Sequence, residues 1–321
     1  MLSDSLDLLS LKILHALQID GRASFSRIGD ILGVSDQTVA RRYARLRATG
    51  AVRVVGLTDS ETVGEEEWLL RIQCAPEAAA GVAAAVSRHP ETRWVQLTSG
   101  ATEIVCTTRS AAGGDSALLR DLPRARRVTG VSAHWLLHTF YGGGVTILNK
   151  VGPLTGEQVR ALRPPPPELA GTVALSSGDR ALVAELTRDG RTTYRDLART
   201  VGLPQSAVQR RLAELRRSGA LYFRVDFDDA LIGRGTVAIL WLSVSPSALV
   251  EVGTALAAHD EVTFVGSTTG PTNLYAVVLT TSPRALHDYL TGPVAALPAI
   301  GRLETAPLVR PVKRAGVPVT G

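Results

Sequence analysis

The sequence predicts an α+β chain in which a three-helix unit and a βαββαβ sheet domain alternate, each occurring twice. Three observations predict it. First, residues 20–52 (DGRASFSRIGDILGVSDQTVARRYARLRATGAV) recur at 189–221 (DGRTTYRDLARTVGLPQSAVQRRLAELRRSGAL), an offset of 189 − 20 = 169 residues with no gap. A period this long duplicates whole domains, whereas solenoid repeats run roughly 20–50 residues. Second, apolar residues in and before each copy fall at helical spacing. Third, the segment after each copy reads strand, helix, strand, strand, helix, strand.

Leu6, Leu9, Ile13, Leu14 and Leu17 predict a first helix over 6–19, with Asp7 near its start. Asp20-Gly21-Arg22 breaks it. Ser24 is a suitable N-cap for a second helix to Leu32 that faces Phe25, Ile28 and Ile31 inward. Gly33 turns the chain, Ser35 caps a third helix to about Thr49, and Gly50 ends it. Val39, Tyr43 and Leu46 are its inner face. Three helices with a glycine turn between the second and third make a helix-turn-helix, winged if the β-rich run AVRVVGLTD (51–59) folds back on it.

Strand 68–74, helix 76–89, strands 93–100 and 102–109, helix 115–122 and strand 131–141 follow, a ferredoxin-like order with helices on one face. The second copy repeats it as strand 236–244, helix 246–259, strands 262–269 and 273–280, helix 283–293 and strand 301–310. The TSGAT (98–102) and TTGPT (268–272) turns correspond, and RPPPPE (163–168) reads as a stiff extended linker. The expected domains are helix-turn-helix 1–52, connecting strand 53–66, sensing domain 67–150, Pro-rich linker 151–174, helix-turn-helix 175–221, connecting strand 222–235, sensing domain 236–314 and tail 315–321.

Length and composition bound the rest. The chain has 321 residues, 45 % of them hydrophobic, which is ample for several cores. Its net charge of +5 is mildly basic and fits a nucleic-acid partner. Cys74 and Cys106 sit in apolar, strand-like runs and read as buried thiols with no further metal ligand beside them. The N-terminus lacks the basic region of a signal peptide and no apolar run reaches membrane-spanning length, so a cytoplasmic protein is expected.

The third helix of each unit carries the expected chemistry. N-terminal residues of a recognition helix reach base edges in the major groove. Gln37 and Thr38 in the first copy, and Gln205, Ser206 and Gln209 in the second, are therefore the candidate base readers, with the cap residue Ser35 counted in the DNA-binding set. Arg41, Arg42, Arg45, Arg210 and Arg211 are candidates for phosphate or guanine. From 35 to 50 four arginines stand against Asp36, and from 204 to 219 four stand against Glu214, so each window is 4 − 1 = +3. Pro204 replaces Ser35 in the second copy and cannot cap through a side chain, which predicts a weaker docking of that module.

Residues 6–52, with their LD start, DGR corner, GVS turn and RR-L-G ending, resemble the Lrp/AsnC group of bacterial transcription regulators. The βαββαβ segments are similar to that family's ligand-sensing and oligomerising domain. The resemblance covers nearly the whole chain, twice. Family members usually carry one copy and dimerise, so fusion of two copies departs from the pattern. The resemblance implies double-stranded DNA as partner, homo-oligomers of the fused chain, no cofactor, and a small effector, often an amino acid, near the turn between the second and third sensing strands. The candidate effector residues are Thr98, Gly100, Thr102 and Glu103, with Thr268, Gly270, Thr272 and Asn273 in the second copy. Neither turn keeps the family's aspartate. Glu103 is expected to accept an effector ammonium, a task for which neutral Asn273 is poorly suited.

Two other readings share this architecture: an enzyme resembling siroheme decarboxylases, and a ligand-binding module with vestigial helix-turn-helices. His134 and His138, four apart on a strand, stand roughly 13 Å apart and cannot share a metal; core or surface placement is expected. No catalytic arrangement stands out, so a non-enzymatic regulator is the main expectation. Its two sheets should pack face to face, and its unequal recognition helices should read an imperfect palindrome.

Overall fold

The structure, a computed structural model, describes residues 6–114, 116–168 and 171–319. In chain order its elements begin with helices α1 (Leu8–Ile19), α2 (Phe25–Leu32) and α3 (Asp36–Ala48), then strands β1 (Val52–Thr58) and β2 (Glu65–Cys74). Next come α4 (Ala79–Arg88), β3 (Thr92–Thr98), β4 (Glu103–Ala111), α5 (Ala117–Asp121) and β5 (Val128–Tyr141). Helices α6 (Leu148–Val151), α7 (Gly156–Leu162), α8 (Ser177–Arg188), α9 (Tyr194–Val201) and α10 (Gln205–Arg217) lead to β6 (Leu221–Phe227) and β7 (Thr236–Val244). The chain closes with α11 (Leu249–Ala258), β8 (Val262–Thr268), β9 (Leu274–Thr280), α12 (Pro283–Tyr289), β10 (Ile300–Arg314) and β11 (Val317–Pro318). The expected α5 helix starts at Asp115, which lies outside the described residues.

Caps set the helix limits. Asp7, Ser24 and Ser35 each accept a backbone N–H of the first turn in the first copy, as Ser176 and Thr193 do in the second. Pro204 offers α10 no side-chain cap. Gly33 and Gly202 end α2 and α9 in the left-handed region, at φ 69° and 67°. The segment expected as linker carries α7, closed by a reciprocal Thr155–Gln158 capping box, and α7 packs on α1 and α2.

The chain forms two compact units, and the duplication is divided between them crosswise. One unit joins residues up to Gly64 with Gly144–Gly233 and holds both helix-turn-helix copies. The other joins Glu65–Gly143 with the chain from Arg234 and holds both sheet domains.

In the helical unit the strand that follows each helix-turn-helix pairs with its counterpart. Strands β1 and β6 run antiparallel with Val55 opposite Arg224, and 224 − 55 = 169, so a local two-fold passes through that pair. The DGR corners lock it. Arg22 Nη1 donates to the Gly190 and Thr192 carbonyls at 2.8 and 3.1 Å, and its guanidinium lies 4.6 Å over the Tyr194 ring. Arg191 returns the contact, donating to Gly21 and Ala23 at 2.8 and 3.0 Å and stacking 4.3 Å over Phe25. Arg47 pairs with Asp189 at 2.8 Å and Arg216 with Asp20 at 2.9 Å. Gly21 is required here: a Cβ would stand 2.8 Å from Phe223 Cβ and Val54 Cγ1.

In the sheet unit each copy forms a ferredoxin-like sheet, and two long strands weld the sheets together. Residues 128–135 of β5 pair with β2, while residues 136–141 pair with β8 of the other copy. Strand β10 does the reverse, pairing with β7 and then with β3. The circuit β10-β3-β4-β2-β5-β8-β9-β7 closes back on β10. Side chains alternate along it. Leu70, Ile72, Val95 and Cys106 face the first helical layer, Leu240, Leu242, Val265 and Ala276 the second. Leu69, Val105, Ile239, Trp241 and Tyr275 meet between the sheets, so the two inner faces do pack together. Cys74 and Cys106 are buried free thiols, and burial pushes the Cys106 thiol up to about 12.

Candidate functional site

The recognition helices α3 and α10 present polar first turns to solvent. Gln37, Arg41 and Arg45 are exposed on α3, and Gln205, Ser206, Gln209 and Arg210 on α10. Ser35 is spent on its own helix: its Oγ accepts the Thr38 N–H at 3.2 Å and lies 2.9 Å from the Thr38 hydroxyl. These two side chains shape the turn, leaving Gln37 the most exposed of the first copy's candidate base readers.

The arginines divide into two groups. Arg42 pairs with Asp7 and donates to Ser10 Oγ at 2.9 Å, pinning the recognition helix to the start of α1. Arg211 grips Asp179 at the start of α8 through Nε and Nη2 at 2.8 and 2.9 Å. This hydrogen bonding holds the Asp179 carboxyl down at about 2. Both arginines were candidates for DNA; the structure instead commits them to holding the recognition helix in place. Arg47 and Arg216 are committed to the clasp between copies. Of the eight arginines counted over 35–50 and 204–219, these four are engaged inside the fold, so the count of +3 per helix overstates the charge offered outward. Arg41 and Arg45 remain outward on α3. Arg210 and Arg217 remain on α10, Arg210 with Glu214 at 3.9 Å, in the position that Arg45 holds in the first copy (45 + 169 = 214).

The two sensing turns also differ. In the first, Glu103 is buried and accepts Arg71 Nε at 2.7 Å, while the Thr98 hydroxyl donates to its Oε2 at 3.3 Å. The Thr102 hydroxyl donates to the Ser99 carbonyl at 2.7 Å, and Gly100 sits exposed at φ 69°. The expectation that Glu103 accepts an effector ammonium is therefore corrected: its buried carboxylate is already paired with the half-buried Arg71 guanidinium. In the second, Asn273 clamps one residue of the neighbouring strand, accepting the Val244 N–H at 2.8 Å and donating to its carbonyl at 2.9 Å. The Thr268 hydroxyl donates to the Thr272 carbonyl at 3.1 Å. Both threonines are buried.

It is the second turn that opens. A cavity of about 340 Å³ lies against Gly270, Pro271 and Thr272, closed by Arg71, His134, Arg302 and Glu304. Gly270 has φ 105°, and a Cβ there would stand 2.5 Å from His134 Nδ1. His134 Nδ1 lies 2.9 Å from the Thr269 carbonyl, which can only accept, so that nitrogen carries the proton. Arg71 lies 4.7 Å over the Trp241 ring and also pairs with Glu304, which holds the Glu304 carboxyl below its ordinary value. Four of these residues were not expected: Arg71, His134, Arg302 and Glu304 meet only because β5 and β10 cross between the sheets. His134 alone had drawn notice, as a core or surface histidine.

Known proteins place this arrangement. The AsnC-type helix-turn-helix domain matches residues 6–47 and 175–216, and the Lrp/AsnC ligand binding domain matches residues 237–318. The chain is similar to an uncharacterised HTH-type transcriptional regulator of Pyrococcus furiosus, 29 % identical over 43 % of this chain and 93 % of the relative. It is 33 % identical to the HTH-type transcriptional regulator LrpA of Mycobacterium tuberculosis over 36 % of this chain and 79 % of the relative. The regulatory protein AsnC of Haemophilus influenzae is 25 % identical over 43 % of this chain and 97 % of its own length. Each thus matches one half of the chain. The crystal structure of the siroheme decarboxylase NirDL matches the whole, with a TM-score of 0.64 over 97 % of this chain and 94 % of that one, at 15 % identity, a likeness of fold.

Proposed function

We propose, from the premise that this chain belongs to the Lrp/AsnC family as two regulator units fused in tandem, that it is a sequence-specific transcription regulator whose hold on DNA responds to a small effector. The observation that carries it is the pair of recognition helices, each with an exposed polar first turn and each pinned by an arginine to the helix that starts its unit. Gln37 in the first copy, and Gln205, Ser206 and Gln209 in the second, read base edges; Arg41, Arg45 and Arg210 meet phosphate. The copies differ at Asp36/Gln205, Gln37/Ser206, Thr38/Ala207 and Ala40/Gln209. The operator is accordingly an imperfect palindrome whose half-sites lie about one helical turn, roughly 34 Å, apart. Footprinting on the chain's own upstream region should show two unequal half-sites; equal halves of a perfect palindrome would refute the asymmetry, and no protection anywhere would refute the regulator.

The effector site we assign is the cavity at the second turn. Arg302 offers a cationic partner, and Glu304, which pairs with Arg71 but unlike Glu103 is 37 % exposed, an anionic one, which suits a zwitterion such as an amino acid or related metabolite. Thermal shift with a panel of amino acids should find a stabilising ligand whose effect is lost in Arg302→Ala. A homo-oligomer of fused chains fits the family habit.

A second reading is favoured by one observation: the whole-length fold likeness to a siroheme decarboxylase, together with a histidine and two arginines around one cavity. Incubation with siroheme without oxygen decides it, since decarboxylated product would make the chain an enzyme.

A further inference from the structure

We infer that the sheet unit carries a second DNA-contacting surface, a basic turn between α5 and β5 that binds duplex phosphates in addition to those met by the helix-turn-helices. The proposal rests on the DNA-binding reading and extends it. Residues 116–130 hold Arg120, Arg124, Arg126 and Arg127 against Asp121, so the segment is 4 − 1 = +3. All four arginines are exposed. Arg120 lies 3.8 Å from Asp121. Among the described residues, Arg124, Arg126 and Arg127 have no ion-pair partner. Like charges packed onto one short turn repel one another and hold counterions, and a polyanion that displaces those counterions gains free energy from their release.

The duplication supplies a control. Leu136 of β5 faces Thr268, and Leu308 of β10 faces Thr98, so these closing strands correspond at an offset of 308 − 136 = 172. The connection that follows α12 is longer than the one that follows α5, and residues 288–302 across it hold only Asp288 against Arg302, net zero. The second copy thus makes the corresponding helix-to-strand connection, by a different turn, without a cluster of cations. Neither the sheet nor its core requires them. Pro123 and the short helical turn Leu122–Arg124 fix the backbone that carries them. Guanidinium groups suit phosphate oxygens, and the even spacing of charge along a duplex matches a surface read for charge alone, without sequence.

The test uses the full chain and two duplexes carrying its operator, one of about two helical turns and one of about six. Binding is measured across a salt series for the wild type, for R124A/R126A/R127A, and for R124K/R126K/R127K. On the long duplex the alanine variant should bind at least about tenfold more weakly, with a salt slope lower by about 0.9 per lost contact, near 2.7 in all. On the short duplex it should match the wild type. The lysine variant should keep most of the long-duplex affinity, because it keeps the charge. Unchanged long-duplex binding by the alanine variant overturns the proposal, as does equal weakening on both lengths. So does a variant that binds both duplexes normally but loses binding to an acidic polypeptide or to anionic vesicles. If the wild type binds neither duplex, the regulator reading fails as well; if it binds both and the variants match it, only this surface does.

Discussion

The first recognition helix and the second share the arginines that point into the molecule and differ where they point out. Arg42/Arg211 and Arg47/Arg216 are identical between copies and engaged with Asp7, Asp179, Asp189 and Asp20. Gln37/Ser206, Thr38/Ala207 and Arg45/Glu214 are exposed or half-exposed, and none is shared. The corner residues Asp20, Gly21 and Arg22 recur as Asp189, Gly190 and Arg191 because an isologous contact needs the same residues at both ends. Identity between these arginines and corners therefore marks contacts inside the fold, across the internal two-fold or within each copy. Arg41/Arg210 is the exception, a shared arginine that remains exposed. The sensing turns repeat the lesson, with Glu103 sealed under Arg71 in one and a cavity open beside Gly270 in the other.

The largest effect should come from breaking the clasp. Arg22→Ala or Arg191→Ala removes two charge-assisted hydrogen bonds and a cation–π stack, and strands two carbonyls. Each should cost about 3 kcal/mol and the pair about 5. Denaturant midpoints of the helical unit measure this. Similar losses for the two single variants support a symmetric clasp, and a loss below about 1 kcal/mol in either removes it.

His15 sharpens the comparison from the other side, because its counterpart is Ala184 (15 + 169). It is buried, accepts the Leu154 N–H at 3.2 Å through Nδ1, and burial pushes it down to about 4. A histidine lowered in the fold binds its proton later than in the unfolded chain. Stability is then flat above about pH 6.5, falls as pH drops from there toward 4, and flattens again below, a loss of about 3 kcal/mol at most. Midpoints measured from pH 7 to 4 should show this in the wild type and much less of it in His15→Asn. An equal slope in both would clear His15.

The two staples should rank next. The Asp179 side chain is 4 % exposed and accepts four hydrogen bonds, two from Arg211 and two from Ser176, whereas that of Asp7 is 59 % exposed. Asp179→Asn should cost about 2 kcal/mol and Asp7→Asn well under 1. The lowered Asp179 carboxyl adds stability that is present above about pH 4 and lost as pH falls through about 2. If the two substitutions cost the same, the staples are not graded by burial.

How much of this was legible follows the range of each interaction. Helices, caps and the βαββαβ order were readable because periodicity and capping act within a few residues. The DGR corner was read as a helix break, which is its local effect; its partners lie 168 to 170 residues away. Helix α7 was missed although Thr155 and Gln158 stand at capping-box spacing, because RPPPPE dominated the reading of that segment. The cavity was illegible: Arg71, His134 and Glu304 meet through strands that cross sheets, and no local pattern announces such a crossing. The arginine count failed for a related reason, since a salt-bridge partner such as Asp179 sits on another helix and leaves no trace in the spacing of α10.

The smallest expected effect is the most direct test of unequal grips. Arg45 and Glu214 occupy equivalent positions four residues after Arg41 and Arg210. On α3 this makes two like charges on one helical stripe, both free to meet phosphate. On α10 Glu214 lies 3.9 Å from Arg210 and 3.2 Å from Arg211, lowering the potential of the stripe. Glu214→Arg should make the second helix resemble the first and tighten operator binding a few-fold, with a salt slope steeper by about 0.9 if one phosphate contact is added. Arg45→Glu should do the reverse. Fold stability should move little in either case, because Glu214 makes only exposed or half-exposed pairs and Arg211 keeps Asp179. If Glu214→Arg tightens binding to a duplex bearing the second half-site alone, the imbalance lies at this residue; if both substitutions leave binding untouched, it lies instead in the first-turn readers and in Pro204.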